Sequence, residues 1–421
     1  MDGSVMNIRD FETEGQHSWT ECFCRAVKAL EEKGGGRLYV PAGTYETASV
    51  RLKSNIELYL EMGAVLLFTD RKEEYEIITT GFEGKAQLSY MPCIYARGEV
   101  NVAVSGYGTI NGQGDAWWKE INRLPCRRPC LICFEECSHV KIQGVTLLNS
   151  PAWTVHPLFC EDVVVQNVVI RNPADSPNTD GINPDCSSNV RITGCVIDVG
   201  DDCIAVKAGT EESGRTRPCE NIVVTGCQMI HGHGGIVIGS EMSGSVRNVV
   251  VSDCVFHHTD RGIRLKTRRK RGGAMERLIF HHIIMDEVVC PFVFNMYYSC
   301  GEAGKLPYVG DKAAHQADDT TPAIRDVMMD HIVVHKAEAA AGFCYGLPES
   351  PIERLTVTDC AIEMDPSGNA KQPAMMEGQK PMRAAGFLMR NVRGAVMERI
   401  VIKDCIGQDL DCDETVEYIR R

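Results

Sequence analysis

Apolar and polar residues alternate along this chain in short bursts, and each burst ends on the same kind of residue. The unit is apolar–x–apolar–x, then a corner residue, most often Gly, Asn or Asp, then a small or branched apolar residue. It begins at Val140 (VKIQGV), Val163 (VVVQNV), Val190 (VRITGC), Ile222 (IVVTGC), Val249 (VVVSDC), Leu278 (LIFHHI), Val327 (VMMDHI), Leu355 (LTVTDC) and Ile400 (IVIKDC). The first steps are 23, 27, 32, 27 and 29 residues. Alternation predicts a short strand, and the corner residue tolerates left-handed backbone. A fixed period of such units predicts a solenoid rather than an ordinary β-sandwich.

A second set of strands follows the corners. Ile182-Asn183-Pro184, Ile204-Ala205-Val206, Ile236-Val237-Ile238, Ile263-Arg264-Leu265 and Phe292-Val293-Phe294 align as apolar–x–apolar. Two positions before each of the first four stand Asp180, Asp202, Gly234 and Arg261, and Asp201 aligns with His233. Coils stack roughly 4.8 Å apart, so Asp180, Asp201, Asp202 and His233 are expected in one cluster. The middle residue of each strand faces the opposite way from its apolar neighbours. This puts Arg264 outward, with Lys207 and Lys266 in an outward column one step beyond the strands.

Before the repeats, residues 17–33 (HSWTECFCRAVKALEEK) predict a helix with Phe23, Ala26, Val27 and Leu30 as its apolar stripe, stopped by Gly34-Gly35-Gly36. A solenoid needs such a cap. Strands are expected at 37–40, 55–61 and 64–68. The organisation is thus one all-β solenoid domain over residues 1–421, with 1–75 as cap and first strands and 99–410 as regular coils. Trp117 and Trp118 suit either the core or a platform for a sugar ring. Stretches 209–220, 300–325 and 365–386 break the repeat as loops that serve either the binding face or an oligomer contact, so a homo-oligomer stays open. The basic run Arg268-Arg269-Lys270-Arg271 reads as an acid-binding extension or, for at least half of it, a solvated loop.

At 421 residues the chain exceeds the usual single core of roughly 250–300 residues, a limit that a one-dimensional core escapes. The 20 cysteines include Cys195, Cys227, Cys254, Cys360 and Cys405 in one repeat slot, where other copies carry Val or Ile. That is a stack of small buried hydrophobes, without the paired C-x-x-C of a zinc site. The start MDGSVMNIRDFETEG has no apolar run behind a basic segment. The expectation is a reduced, cytoplasmic protein, or a secreted one if a leader preceded the sequence as given. A net charge of −13 argues against a nucleic-acid partner, and no apolar run reaches membrane-span length.

A cluster of carboxylates beside Arg and Lys suits hydrolysis of an acidic glycoside. One carboxyl group must donate a proton and another must activate water. Crowding is expected to raise one of their pKa values. The order N-T-D-G (178–181), G-D-D-C (200–203), G-H-G (232–234) and R-L-K (264–266) resembles the polygalacturonases of glycoside hydrolase family 28. The middle residue of the usual R-I-K is a departure. PFVFNMYYSC is similar to the family segment that ends in a tyrosine, placed at Tyr298 with Tyr297 as its rival.

The resemblance implies a right-handed parallel β-helix and inverting hydrolysis without metal or cofactor. It implies Asp201 as general acid, Asp180 and Asp202 as the pair activating water, and His233 as tuner of the acid. Arg264, Lys266 and Tyr298 would bind galacturonate, beside Lys207, and Asn178 would orient Asp180 or form its turn. The expected partner is an acidic oligosaccharide, α-1,4-linked galacturonides, attacked from the chain end. The alternatives are another pectin-backbone hydrolase, a calcium-dependent pectate lyase, and a β-helix that binds sugar without cutting it.

Overall fold

The computed structural model describes residues 4–13, 15 and 18–420. They form two compact units, one of residues up to Phe82 with Ala86–Asp201, the other of Glu83–Lys85 with residues from Asp202 onward. Each unit is a run of parallel β-helix coils.

In the first unit the expected helix spans Thr20–Glu32 and buries Phe23, Ala26, Val27 and Leu30, as its stripe predicts. His17, the start of the predicted helix, lies outside the described residues. Strands follow at Gly36–Val40, Ile56–Leu60 and Ala64–Phe68. Val102 pairs with Val140, Val140 with Val163, and Val163 with Val190, all parallel. A smaller parallel sheet stacks Val50–Arg51, Ile94–Arg97, Ile132–Glu135 and Val155–Leu158. Ile182 extends it by a bridge to Val155. Trp117 is fully buried against Tyr75 and Tyr90, so it is core and not a sugar platform. Trp118 donates its indole N–H to the carbonyls of Ser150 and Pro151.

In the second unit Ile222 pairs with Val249, Val249 with Leu278, Leu278 with Val327, and Val327 with Leu355. The corner residues take left-handed backbone in both units. In the first these are Gly144, Asn167 and Gly194, and in the second Gly226, Asp253, His282, His331, Asp359 and Arg399.

The last repeat corrects the sequence reading. Thr356 pairs with Val396, so the strand following LTVTDC in register is Val392–Glu398, not IVIKDC. Val401 instead pairs with Ala361, one corner further round the coil. The same alternation flanks two successive corners, Arg399 and Asp404, and a local pattern cannot tell them apart. Cys405 accordingly leaves the buried cysteine slot that Cys227, Cys254 and Cys360 do occupy. No disulfide joins any of the twenty cysteines, all of which lie among the described residues.

The site-bearing sheet of this unit stacks Asp202–Val206, Gly234–Gly239, Arg261–Lys266, Cys290–Asn295, Ala340–Tyr345, Ala385–Arg390 and Leu410–Cys412. Ile204 pairs with Ile236, Ile236 with Ile263, and Ile263 with Phe292, the register read from the sequence.

The basic run is not a solvated loop. Arg268, Arg269 and Arg271 are buried, and only Lys270 is exposed. Arg268 and Arg271 both pair with Glu211 of the 209–220 insertion. Arg269 makes a two-point contact with Glu349, at 2.6 and 3.0 Å. It also donates to the carbonyls of Tyr308 (3.0 Å), Asp311 (2.7 Å) and Ala313 (3.2 Å) in the 300–325 insertion. These arginines are loop anchors, which uncapped loop backbone needs when it is pressed against a sheet. Arg269→Ala would leave Glu349 and three carbonyls without their donor. It is expected to cost about 3–5 kcal/mol of unfolding free energy, with Arg269→Lys recovering little because a point charge cannot make the fork. Urea unfolding of the three proteins checks this.

Candidate active site

The first unit supplies Asn178, Asp180 and Asp201. Asn178 turns the chain with φ of 54° and accepts a bond from buried Arg128, at 2.9 Å to its Oδ1. Arg128 also donates to the carbonyls of Pro151 and Pro177. The left-handed backbone of Asn178 fits the turn-forming role weighed for it. Asp180 is buried, and its carbonyl accepts from the Thr154 amide of the coil before, at 2.8 Å. Its carboxylate is oriented by Asn183, whose Nδ2 donates to Oδ2 at 3.1 Å. Asp201 is half-buried, and carboxylate oxygens of Asp180 and Asp201 lie within 4.8 Å of each other.

The second unit supplies Asp202, Lys207, His233, Arg264, Lys266 and Tyr298. Asp202 opens its strand and is 1% exposed. Lys266 Nζ donates to its Oδ2 at 2.8 Å, and Arg264 approaches Oδ1 at 3.4 Å. Both cations come from the coil two steps later, across the strand Gly234–Gly239. Gly234 lies opposite Asp202 and keeps the lane open. A Cβ there would sit 2.4 Å from the Val237 side chain, 3.4 Å from Asp202 Oδ1 and 3.6 Å from Arg264 Cδ.

Burial pushes the Asp202 carboxyl up. Lys266, Arg264 and Lys207 together outweigh burial and hold it well below the usual carboxylate range. Burial likewise pushes the Lys266 ammonium down, while Asp202 and Tyr298 raise it, and the net shift is upward. Of the three aspartates, Asp202 therefore does not carry the raised pKa expected from crowding. An ionised, doubly paired carboxylate accepts protons poorly from bulk water but polarises what it touches.

Tyr298 is the tyrosine of the cluster. Arg264 and Lys266 stand 5.6 and 5.4 Å from its ring centroid, while Tyr297 faces Arg269 and Lys312 instead. Burial pushes the Tyr298 phenol up against the opposing pull of Lys266 and Arg264, so it remains a hydrogen-bond donor at neutral pH. Lys207 is 4% exposed, with its Nζ 3.3 Å from Glu241. Burial pushes the Glu241 carboxyl up, but Lys207, Arg271 and Lys266 hold it down at about 2. His233 is exposed and immediately precedes Gly234, the partner of Asp202.

Sequence reading missed Asn183, Arg128, Glu241 and Arg261. Asn183 was legible, since it is the outward middle residue of its strand. The others act through contacts that no local pattern encodes. For a bound cation, Asp180 and Asp201 offer neighbouring oxygens, but Asp202 already has two fixed cationic partners. Among the described residues Asp330, His331 and Asp359 also gather on an outer corner. There Asp359 is held by Arg399 at 2.6 and 2.7 Å, and Asp330 by His331 at 2.9 Å.

Comparison with known proteins agrees with this geometry. The family described as Glycosyl hydrolases family 28 matches residues 40–363. A probable polygalacturonase of Vitis vinifera is 32% identical over 367 residues, 83% of this chain and 72% of the relative. The crystal structure of a hyperthermoactive exopolygalacturonase from Thermotoga maritima superposes with a TM-score of 0.79 and 29% identity, covering 95% of this chain and 91% of that one. A family 28 exopolygalacturonase of Yersinia enterocolitica shares the fold, with a TM-score of 0.80, 18% identity, and coverage of 100% and 77%. The fold they share with this chain is the right-handed parallel β-helix.

Lys266→Met should lower unfolding free energy by about 3 kcal/mol at pH 7, because it strands a buried carboxylate. A depressed native pKa gives stability that is present above the unfolded value of about 4 and lost as pH falls through the native one. The gap between wild type and variant should therefore begin to narrow below about pH 4 but stay open at pH 3, where native Asp202 is still ionised, which urea unfolding at pH 7 and pH 3 measures.

Proposed function

We propose, from the premise that this chain belongs to family 28 of the glycosyl hydrolases, that it hydrolyses α-1,4-linked galacturonides from a chain end. The chain is a glycoside hydrolase. The substrate, the direction of attack and the stereochemistry are the proposal.

The observation that carries the substrate is the group Arg264–Lys266–Tyr298. Two cations and a phenol converge beside a single carboxylate. A uronate carboxylate is the ligand such a group would take, by a two-point contact to Arg and a point charge from Lys. The exopolygalacturonase activity of the Thermotoga relative supports the same choice.

In this reading Asp201 donates its proton to the leaving oxygen, and its partial exposure lets it regain one from solvent. Asp180 and Asp202 activate the attacking water, Asp180 by taking its proton and Asp202, kept ionised, by polarising it. Asn183 holds Asp180 in position, and His233 sets the protonation of Asp201. Arg264, Lys266 and Tyr298 hold the galacturonate at the cleavage point. No metal enters the reaction, so activity should survive a chelator, as that of a calcium-dependent lyase would not.

Proton NMR of the first product tests inversion. Inversion of an α-link gives the β-anomer first, and the α-anomer first would replace the proposal with retention. Asp201→Asn is expected to lower turnover at least roughly a thousandfold while the circular dichroism stays native. Unchanged turnover would remove Asp201 from its role.

A further inference from the structure

We infer that Asp330, His331 and Asp359 bind a divalent transition-metal cation of the zinc class on an outer corner of the second unit, and that the ion ties two successive coils together there. The corner lies on strands Ala323–Ala337 and Ile352–Thr358, which are not part of the site-bearing sheet. The ion would have no part in the hydrolysis proposed above.

Asp330 points outward just before the corner, and His331 makes the corner itself, with φ of 49°. Asp330 pairs in register with Thr358, so Asp359, with φ of 51°, follows His331 in the same column one coil later. Coils lie roughly 4.8 Å apart. One donor atom from each of the three residues lies within 4.8 Å of the other two. His331 Nδ1 is 2.9 Å from Asp330 Oδ2. Donors around a four-coordinate zinc ion stand roughly 3.3 Å apart at bonds of about 2.0–2.2 Å, so the three close on one ion by rotation of their side chains. These are 54% exposed at His331, 30% at Asp330 and 27% at Asp359, which leaves room for the rotation and for water as a further ligand. An ion there replaces the proton between His331 and Asp330, and the neutral imidazole keeps its own on Nε2.

Both carboxylates are braced from behind. Thr358 Oγ1 donates to Asp330 Oδ1 at 2.7 Å, on the oxygen that does not face His331. Arg399, one coil further, donates to both oxygens of Asp359 at 2.6 and 2.7 Å. Outer partners of this kind orient metal-bound carboxylates, whose oxygens keep a second lone pair for the ion. Burial and Asp359 push the Asp330 carboxyl up, Thr358 and His331 pull it down, and the net shift is downward. Arg399 holds the Asp359 carboxyl down as well. Two ionised carboxylates beside one guanidinium leave a negative charge for a dication to neutralise. The donor set also chooses the ion. His331 supplies nitrogen, and a second imidazole, His282 of the coil before, has its ring centroid 5.3 Å from that of His331. Imidazole suits zinc, cobalt or nickel, whereas calcium and magnesium take oxygen.

Isothermal titration of the untagged, reduced protein with ZnCl2 tests the site, with circular dichroism to check that each variant keeps its fold. One bound equivalent should weaken at least roughly a hundredfold in His331→Gly, which suits the left-handed corner, and in Asp359→Asn. It should weaken roughly tenfold in Thr358→Val and Arg399→Ala, which keep all three ligands. Zinc at a hundred times its Kd should raise the melting temperature of wild type by about 3 °C and leave that of His331→Gly unchanged. The thiols are rival ligands, so CoCl2 is the spectroscopic probe, and the bands lost in His331→Gly should be those of nitrogen and oxygen coordination without thiolate charge transfer. No zinc bound by wild type, the same isotherm in His331→Gly, or calcium bound there more tightly than zinc would overturn the site. Tighter zinc binding in Arg399→Ala would overturn the guanidinium as its support.

Discussion

A single left-handed residue at the same corner of successive coils is the constraint on which the rest of each unit depends. It turns the strand without an insertion, so neighbouring coils stay in register and their side chains stack in columns. Gly144 and Gly194 meet it without steric cost, whereas His282, His331 and Arg399 meet it against a preference of roughly 1–2 kcal/mol. The hydrogen-bonded register and the buried column beside each corner, Cys227 and Cys254 among them, offset that cost.

Register is what makes the chemistry of the second unit possible. Asp202 would be an expensive buried charge by itself. It is stable because the coil two steps later brings Lys266 and Arg264 to it, and because the coil between offers Gly234 at the crossing. One coil out of phase, the same residues would leave three unpaired charges. The carboxylate under two cations remains ionised.

Much of this was legible in the sequence because a solenoid translates spacing into position. The columns of Ile204, Ile236, Ile263 and Phe292, the helix before the coils, and the grouping of Asp202 with Arg264 and Lys266 follow from counting, whereas Tyr298 was placed by its resemblance to a family segment. The misreadings share one cause: a local pattern does not say which corner it flanks or what a loop will touch. IVIKDC looked like another repeat but begins one corner later. Arg268, Arg269 and Arg271 looked like a solvated basic run but are buried by the loops they hold. Glu241, the partner of Lys207 from a different coil, is a residue that alternation does not mark.

The central claim is that Asp202 is held ionised by cations from two coils away. Carbon-13 NMR of the Asp202 side-chain carboxyl across pH tests it directly. The account predicts that the signal keeps its ionised shift at pH 3, below the ordinary aspartate range near about 3.9, and moves toward that range in Lys266→Met. A wild-type midpoint at or above about 4 would contradict it.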